Sequence, residues 1–219
     1  FYRLGKLDCK THKAEFGESE ILDYGFDFYA AQIFKDTPVM IGWLNMWDRN
    51  IPSEKYGFAG MLTVPRKLEI KDGKLWQTPA VYSTLLYEKA VNGNYKDSIK
   101  TGIVKITAEN LKAFKLSLRK KNSTSADFCL KNGEWVFDRS HSGEEIKGKE
   151  VDADSLAGIR RMPFEKGEKT EIYIVMDEFS VELFVDGKAL SSTIYPDADA
   201  DGFELETEAD ECVLQRFEV

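Results

Sequence analysis

The feature that most constrains the fold is strict alternation. The run EIYIVMDEFSVELFV puts Ile172, Ile174 and Met176 on one face, and Val181, Leu183 and Val185 continue the apolar set. A period of two marks a half-buried strand, because successive side chains of an extended chain point to opposite faces. Asp186-Gly187 follows at once. That pair signals a tight hairpin, since both central positions of a type I′ turn need positive φ and Gly takes it without steric cost. The same device stands at Asp72-Gly73, between KLEIK and KLWQ, and at Asn132-Gly133, between DFCLK and EWVFD. Such hairpins, with β-branched and aromatic flanks, predict an antiparallel, nearly all-β protein.

One stretch is ambiguous. Leu111, Phe114 and Leu118 lie at helical spacing, while Phe114, Leu116 and Leu118 also alternate. The reading taken is a strand from Phe114 onward with a short turn before it. No repeat of 20–50 residues announces itself in the 219-residue chain. Composition shifts near Gln77-Thr78-Pro79: the chain before it is rich in Trp, Gly and Pro, and longer charged strands follow. A domain boundary is expected there, giving residues 1–78 and 79–219.

The balance of residue types narrows the function. Hydrophobic residues at 42% and aromatics at 12% exclude a disordered chain. No apolar run reaches the ~18 residues a membrane-spanning helix needs, so no membrane partner is expected. A net charge of −8 repels a phosphate backbone, so no nucleic-acid partner is expected either. Cys9, Cys129 and Cys212 are odd in number and widely spaced. They read as buried small hydrophobes in a reducing, cytoplasmic setting rather than as a disulfide framework or a metal pair. With only His12 and His141, far apart, a zinc site or a Ser/His/Asp triad has little to draw on. The chain opens on Phe1 without an initiator Met, and the true N-terminus is expected to lie upstream.

Two regions go further. LDYGFDFYAAQIF (Leu22–Phe34) leads into VMIGWLNMWDRNIPSEKYGFAGMLTVPRKLEIKDGKLWQTP. Asp138-Arg139-Ser140 is followed by Ser142-Gly143, and Val181-Glu182-Leu183-Phe184-Val185-Asp186-Gly187 by Ile194-Tyr195-Pro196. In this order the blocks resemble glycoside hydrolase family 32: D-x-G-x-D-F-Y-A, I-G-W-x-x-W, W-A-G-x-x-x-x-P-R-x-L, D-R-S-x-S-G, and V-E-x-F-x-x-x-G with its R-x-Y-P. The resemblance covers nearly the whole chain. It implies the last part of a five-bladed β-propeller over residues 1–78 and a lectin/glucanase-like β-sandwich over 79–219. A propeller closes on itself to protect its blade edges, so a blade without its neighbours is expected to expose an edge and an apolar face.

The resemblance also says what the chain lacks. Retaining glycosidases need two carboxyl groups ~5–5.5 Å apart. In the family these come from W-M-N-D-P-N-G and E-C, with a third Asp in R-D-P, and none stands here in its context. Trp43-Leu44-Asn45 echoes the first, but Met46 occupies the nucleophile's place. Glu211-Cys212 spells the acid/base pair yet falls in the last strand, so Glu211 reads as a solvated strand residue. No catalytic residue is therefore assigned, and the chain alone is expected to be inactive.

What the resemblance leaves is one wall of a sugar pocket, assigned to Asp23, Phe58 and Trp47. From the residues alone Asp23 is a turn former ahead of Gly25; the family pattern makes it a substrate contact, able to accept two sugar hydroxyls. Phe58 stands where the family has Trp, which keeps an apolar face for a furanose ring but drops the indole N–H. Trp43 and Trp47, four apart, are expected on one face of one strand, Trp43 as core and Trp47 as either core or sugar-stacking. Asp27 reads as structural and Arg66 as an ion-pair anchor between blade and sandwich.

Asp197, Asp199, Asp201, Gly202 and Glu208 match an EF-hand loop letter for letter. The flanks contradict it: Tyr195-Pro196 precedes, and Phe203 and Leu205 alternate with Glu204, Glu206 and Glu208 as in a strand with a wet acidic face. Neither metal nor cofactor is expected. Asn122-Ser123-Thr124 is a glycosylation sequon that matters only on secretion. The leading expectation is a fragment of an enzyme that hydrolyses sucrose, sucrose 6-phosphate or a fructan, its partner being the missing propeller part. The alternatives are a free-standing sugar-binding or assembly sandwich, and one chain of a two-chain enzyme.

Overall fold

The computed structural model describes residues 1–81, 84–149 and 152–218. The chain order is β1 (Gly5–Asp8), β2 (Lys13–Phe16), β3 (Tyr29–Ile33), β4 (Val39–Leu44), β5 (Met61–Leu62), β6 (Arg66–Lys71) and β7 (Lys74–Pro79). Then come β8 (Leu85–Ala90), β9 (Gly93–Ser98), β10 (Gly102–Glu109), β11 (Ala113–Lys121), β12 (Thr124–Lys131) and β13 (Glu134–Asp138). The last are β14 (Ile159–Pro163), β15 (Lys169–Asp177), β16 (Ser180–Val185), β17 (Lys188–Thr193), β18 (Gly202–Glu208) and β19 (Glu211–Phe217). Among the described residues, helix is confined to one 3-10 turn, Pro52–Tyr56, and one α-turn, Ala153–Leu156.

Local rules account for the hairpins. Asp72 and Gly73 (φ 50 and 73), Asn132 and Gly133 (54 and 78), and Asp186 and Gly187 (45 and 78) all carry the positive φ of the expected turns. They join β6 to β7, β12 to β13 and β16 to β17 in antiparallel register. The ambiguous stretch resolves as strand: β10 ends at Glu109, Asn110 turns at φ 49, and β11 starts at Ala113.

Two six-stranded antiparallel sheets form a sandwich, in the orders β17-β16-β15-β10-β19-β8 and β14-β13-β12-β11-β18-β9. The alternation seen in the sequence sets the core. Ile172, Ile174 and Met176 of β15 face Leu116, Leu118, Phe128 and Phe203 of the other sheet within one buried cluster. Trp135 stacks on Phe128 at 4.9 Å and meets Phe114 edge-on at 5.3 Å. Each such side chain, once fully buried, contributes about 1.5–3 kcal/mol.

The first part of the chain folds differently. Strands β3-β4-β6-β7 form one twisted blade, with β5 pairing β4 and the β1–β2 hairpin beside it. The blade lies against the sandwich through β7, whose Gln77 N–H donates to Gly187 O at 2.8 Å. The segment between β2 and β3 covers the free edge of β17: Tyr24 N–H donates to Ala189 O (2.8 Å) and Phe26 N–H to Ser191 O (2.9 Å). Gly25 is required there by space, since a Cβ would sit 1.9 Å from Ser191 O. The blade leaves much apolar surface in water. Among the described residues, every exposed large apolar side chain except Leu85, Leu86 and Leu156 lies within the first 70 residues, including Leu7, Phe16, Tyr29, Ile33, Leu62 and Ile70.

Two expectations are corrected. Trp43 and Trp47 do not share a strand: β4 stops at Leu44, where its pairing with Met61 ends, and Trp47 lies in a turn beyond it. A strand lasts only as long as its ladder partner, and β5 is two residues long. Nor are the cysteines alike. Cys212 is buried, Cys129 is half-buried and Cys9 is exposed on the turn between β1 and β2.

Candidate functional site

The charged residues of the sequence blocks converge at the seam between blade and sandwich. Arg66, at the start of β6, is fully buried. Its Nη1 lies 2.9 Å from Asp23 Oδ2 and donates to Gln77 Oε1 at 3.1 Å. Its Nη2 lies 2.9 Å from Glu182 Oε2 on β16 and also donates to Ser191 Oγ. The guanidinium plane lies over the Phe28 ring, 4.4 Å from its centroid. Glu182 Oε1 accepts from Val64 N–H at 2.6 Å, so the sandwich carboxylate grips the blade backbone as well. Burial pushes the Glu182 carboxyl above its ordinary value, against the pull of Arg66 and of the Val64 N–H.

Asp23 is consumed by this cluster. Its Oδ1 accepts from Gly25 N–H (2.8 Å) and Ser191 N–H (3.0 Å), and its Oδ2 accepts from Ser191 Oγ (2.8 Å) besides facing Arg66. The turn-forming role read from the residues alone is present, and the side chain is sealed in the seam. The oxygens that the family pattern would offer to a sugar here face four protein donors. Asp23 and Glu182 are two close carboxylates, yet one guanidinium bridges both beneath the blade, and both are buried there away from any substrate.

A second cluster lies alongside. Asp27, fully buried, holds Arg139 at 2.7 Å and Arg49 at 3.3 Å, and accepts from Thr193 N–H at 2.7 Å and Thr193 Oγ1 at 2.8 Å. Arg139 lies 3.7 Å over the Phe26 ring. Asp27 and Arg66 thus take the structural and anchoring roles read from the sequence. Their partners Glu182, Ser191 and Thr193 carried no signal in the sequence beyond polarity at strand positions that come out buried.

The other two candidates ride on the loop between β4 and β5. Pro52, its φ preset, opens the 3-10 turn, and Gly57 (φ 90) closes it by donating to Glu54 O at 3.0 Å. Gly60 lets the loop return over Trp43: a Cβ there would lie 2.1 Å from the indole Nε1. Trp47 is 68% exposed and lines an open groove of about 450 Å³ with Asn50, Pro52, Lys55 and, from the sandwich, Glu144. Phe58 is 41% exposed, and its ring packs on Phe179 of the sandwich at 6.1 Å. Asp23 is therefore in the seam, Phe58 at its rim and Trp47 on the open surface. In the groove, Trp47 offers an apolar face bordered by the Lys55 ammonium and the Glu54 and Glu144 carboxylates, suited to the faces and hydroxyls of a sugar.

The remaining motifs stay apart from this loop. Glu211 is exposed in β19, opposite Glu109. Asp197 and Asp199 are both held by Lys121, at 3.1 and 2.7 Å, and β18 follows with Phe203 and Leu205 inward, as the strand reading expects.

Comparison with known proteins bears on the whole arrangement. Residues 1–79 match the family model "Glycosyl hydrolases family 32 N-terminal domain", and residues 73–219 match "Glycosyl hydrolases family 32 C terminal". A sucrose-6-phosphate hydrolase of Zymomonas mobilis subsp. mobilis is 31% identical over 91% of this chain and 42% of its own length. A raffinose invertase of Escherichia coli is 33% identical over 84% of this chain and 40% of its own. The chain thus spans less than half the length of these curated relatives. The structure of sucrose-6-phosphate hydrolase from Lactobacillus gasseri superposes with a TM-score of 0.80 at 20% identity, covering 99% of this chain and 47% of that one. A Bombyx mori β-fructofuranosidase gives 0.73 at 20% identity, covering all of this chain and 46% of that one.

Proposed function

The chain belongs to glycosyl hydrolase family 32, and from that premise we propose that it is the C-terminal portion of a retaining β-fructosidase. In this reading residues 1–78 are the last of the propeller and 79–219 the supporting sandwich. The nucleophile, the acid/base and the Asp that holds the fructose hydroxyls come from the preceding propeller part, so the chain by itself hydrolyses nothing. Its contribution is the loop bearing Trp47 and Phe58, held at the rim of the sugar pocket. The substrate is sucrose, its 6-phosphate or a fructan, the class to which the named relatives point.

The observation that carries this reading is the blade itself. It is fastened to the sandwich by two buried ion clusters, yet it leaves Tyr29 and Leu62 on its Trp43 face, and Ile33 on β3 and Ile70 on β6, in water. Exposed apolar side chains gathered on one small sheet call for a cover, and neighbouring blades of a closed propeller supply one. The binding-module alternative has less support. Across the outer face of the β11 sheet, Lys96, Glu204, Ser117 and Asp127 form one cross-strand row, and among the described residues no aromatic side chain stands in it as a platform for a sugar ring. A reducing, cytoplasmic setting is proposed as well, from the three unpaired cysteines.

Fructose release tests the reading. The purified chain is incubated with sucrose, sucrose 6-phosphate and levan, alone and after co-expression with the propeller part encoded upstream. No release from the chain alone and release from the reconstituted protein are expected. Activity of the chain alone refutes the division of labour, and an inactive reconstituted protein refutes the fructosidase assignment.

A further inference from the structure

The loop that carries Trp47 and Phe58 belongs to the blade, yet the sandwich holds it in place. Asn50 N–H donates to Lys147 O at 3.1 Å, and Lys147 N–H returns a bond to Asn50 Oδ1 at 2.6 Å. Asn50 Nδ2 reaches Glu145 O at 3.2 Å, and Lys55 pairs with Glu144. On the other flank the tip of the β15–β16 hairpin enters. The Phe179 ring stacks on Tyr56 at 5.2 Å with 17° between planes and packs on Phe58 at 6.1 Å. Its opposite side stacks on Tyr195 at 5.3 Å.

That tip has an unusual brace. At the bulge of β11, Arg119 takes a positive φ of 51 and buries its side chain almost completely. Its Nη1 donates to Asp177 O (3.2 Å) and Glu178 O (3.0 Å), the two residues before Phe179, while Nε donates to Ala200 O (2.6 Å). Ile194 N–H fixes Phe179 O at 3.0 Å. A buried guanidinium spent on carbonyls at a hairpin tip lowers the tip's freedom to move. Burial also pulls the Arg119 guanidinium below its ordinary value, which marks how dry the brace is.

We infer that Phe179 is a positioning residue for the fructoside reaction, a prop through which the sandwich sets the place and tilt of the loop that carries Phe58 and Trp47. The inference rests on the reading of the chain as part of a β-fructosidase. It assigns the sandwich a part in substrate affinity beyond support of the fold. An aromatic ring placed to contact a sugar keeps that contact only while its own packing is locked.

The test uses the complete protein, chain joined to its propeller part, with sucrose as substrate. Phe179→Ala is expected to raise KM about tenfold and leave kcat within about threefold, since two stacked contacts are lost without touching the reacting carboxylates. Phe179→Tyr, which keeps the ring, is expected to restore the wild-type KM. Hydrogen exchange of the amides in residues 47–58 rises in Phe179→Ala and returns to normal in Phe179→Tyr. A wild-type KM in Phe179→Ala, or equal losses in both variants, overturns the inference. Should Phe179→Ala fail to fold, Phe179→Leu keeps the apolar bulk, loses the stacking and is read by the same two measurements. If the wild-type protein releases no fructose, the fructosidase reading falls, and loop exchange then decides the prop alone: unchanged exchange in Phe179→Ala overturns it.

Discussion

Replacing Arg66 by Met is the sharpest test of how the blade is held. Arg66 is fully buried and carries bonds to Asp23, Glu182, Gln77 and Ser191. Met fills most of the volume and still packs on Phe28 and Phe184, so little of the loss comes from a cavity. What remains is two carboxylates, with side chains 3% and 4% exposed, and no cation between them. Breaking a buried pair in this way costs about 3–5 kcal/mol, because the survivor is left charged and dry. At a slope of ~2–3 kcal/mol per M, the urea midpoint falls by about 1–2 M.

The sign of the pH dependence is a second readout. Burial already holds Glu182 above its ordinary value of 4.5, and losing Arg66 removes the largest opposing pull. The native Arg66→Met protein then binds the proton more tightly than the unfolded chain does. Stability is retained below about pH 4.5 and lost as pH rises through the raised value, so the deficit against wild type shrinks in acid. Adding Glu182→Gln is expected to recover about half of the loss, since Oε1 can still accept from Val64 N–H. The assay is urea unfolding of the chain followed by tryptophan fluorescence, at several pH values. A loss below about 1 kcal/mol, the size of an exposed pair, refutes the argument, as does a double variant no better than the single.

Three further outcomes are expected. Gly25→Ala undocks the segment from β17, because its Cβ would overlap Ser191 O at 1.9 Å; protection of the Tyr24 and Phe26 amides from exchange drops, and unchanged protection contradicts the close approach. Glu204, held at about 2 by Lys120 and Lys96, contributes stability that is present above its ordinary 4.5 and lost as pH falls through about 2. Glu204→Gln therefore flattens the fall in Tm over that window at low salt, with less difference at high salt because Lys96 is mostly exposed. Cys9 is labelled by a maleimide in the native state, whereas Cys212 reacts only after unfolding, its thiol buried and pushed up by desolvation; equal rates contradict the burial.

Much of the fold was legible where the deciding physics is local. Positive φ at Asp72-Gly73, Asn132-Gly133 and Asp186-Gly187 is a property of those residues and their neighbours, so three hairpins could be read without knowing what they pack against. Alternation likewise tells which side of β15 or β18 is apolar, and water enforces the rest. The same rule failed at Trp47, because a strand's end is set by its partner, and β5 offers only Met61 and Leu62.

The candidate site was legible in outline, but the neighbours of its residues were not. Asp23 and Phe58 were read as pocket residues from a one-dimensional pattern, and each also meets the sandwich. Asp23 meets Ser191 across 168 positions of sequence. Phe58 meets Phe179 at the tip of a hairpin in the other domain. A buried carboxylate must find donors, and the sequence states that need without saying where they are. By itself, then, the sequence determined an all-β chain, its turns, its apolar faces and its family. Only the tertiary structure decided that Arg66 pairs with both Asp23 and Glu182, and that Phe179 reaches the loop of Trp47 and Phe58. Period and turn chemistry are read within a few residues, whereas charge pairing and aromatic stacking depend on where two sheets, folded more than a hundred residues apart, come to lie.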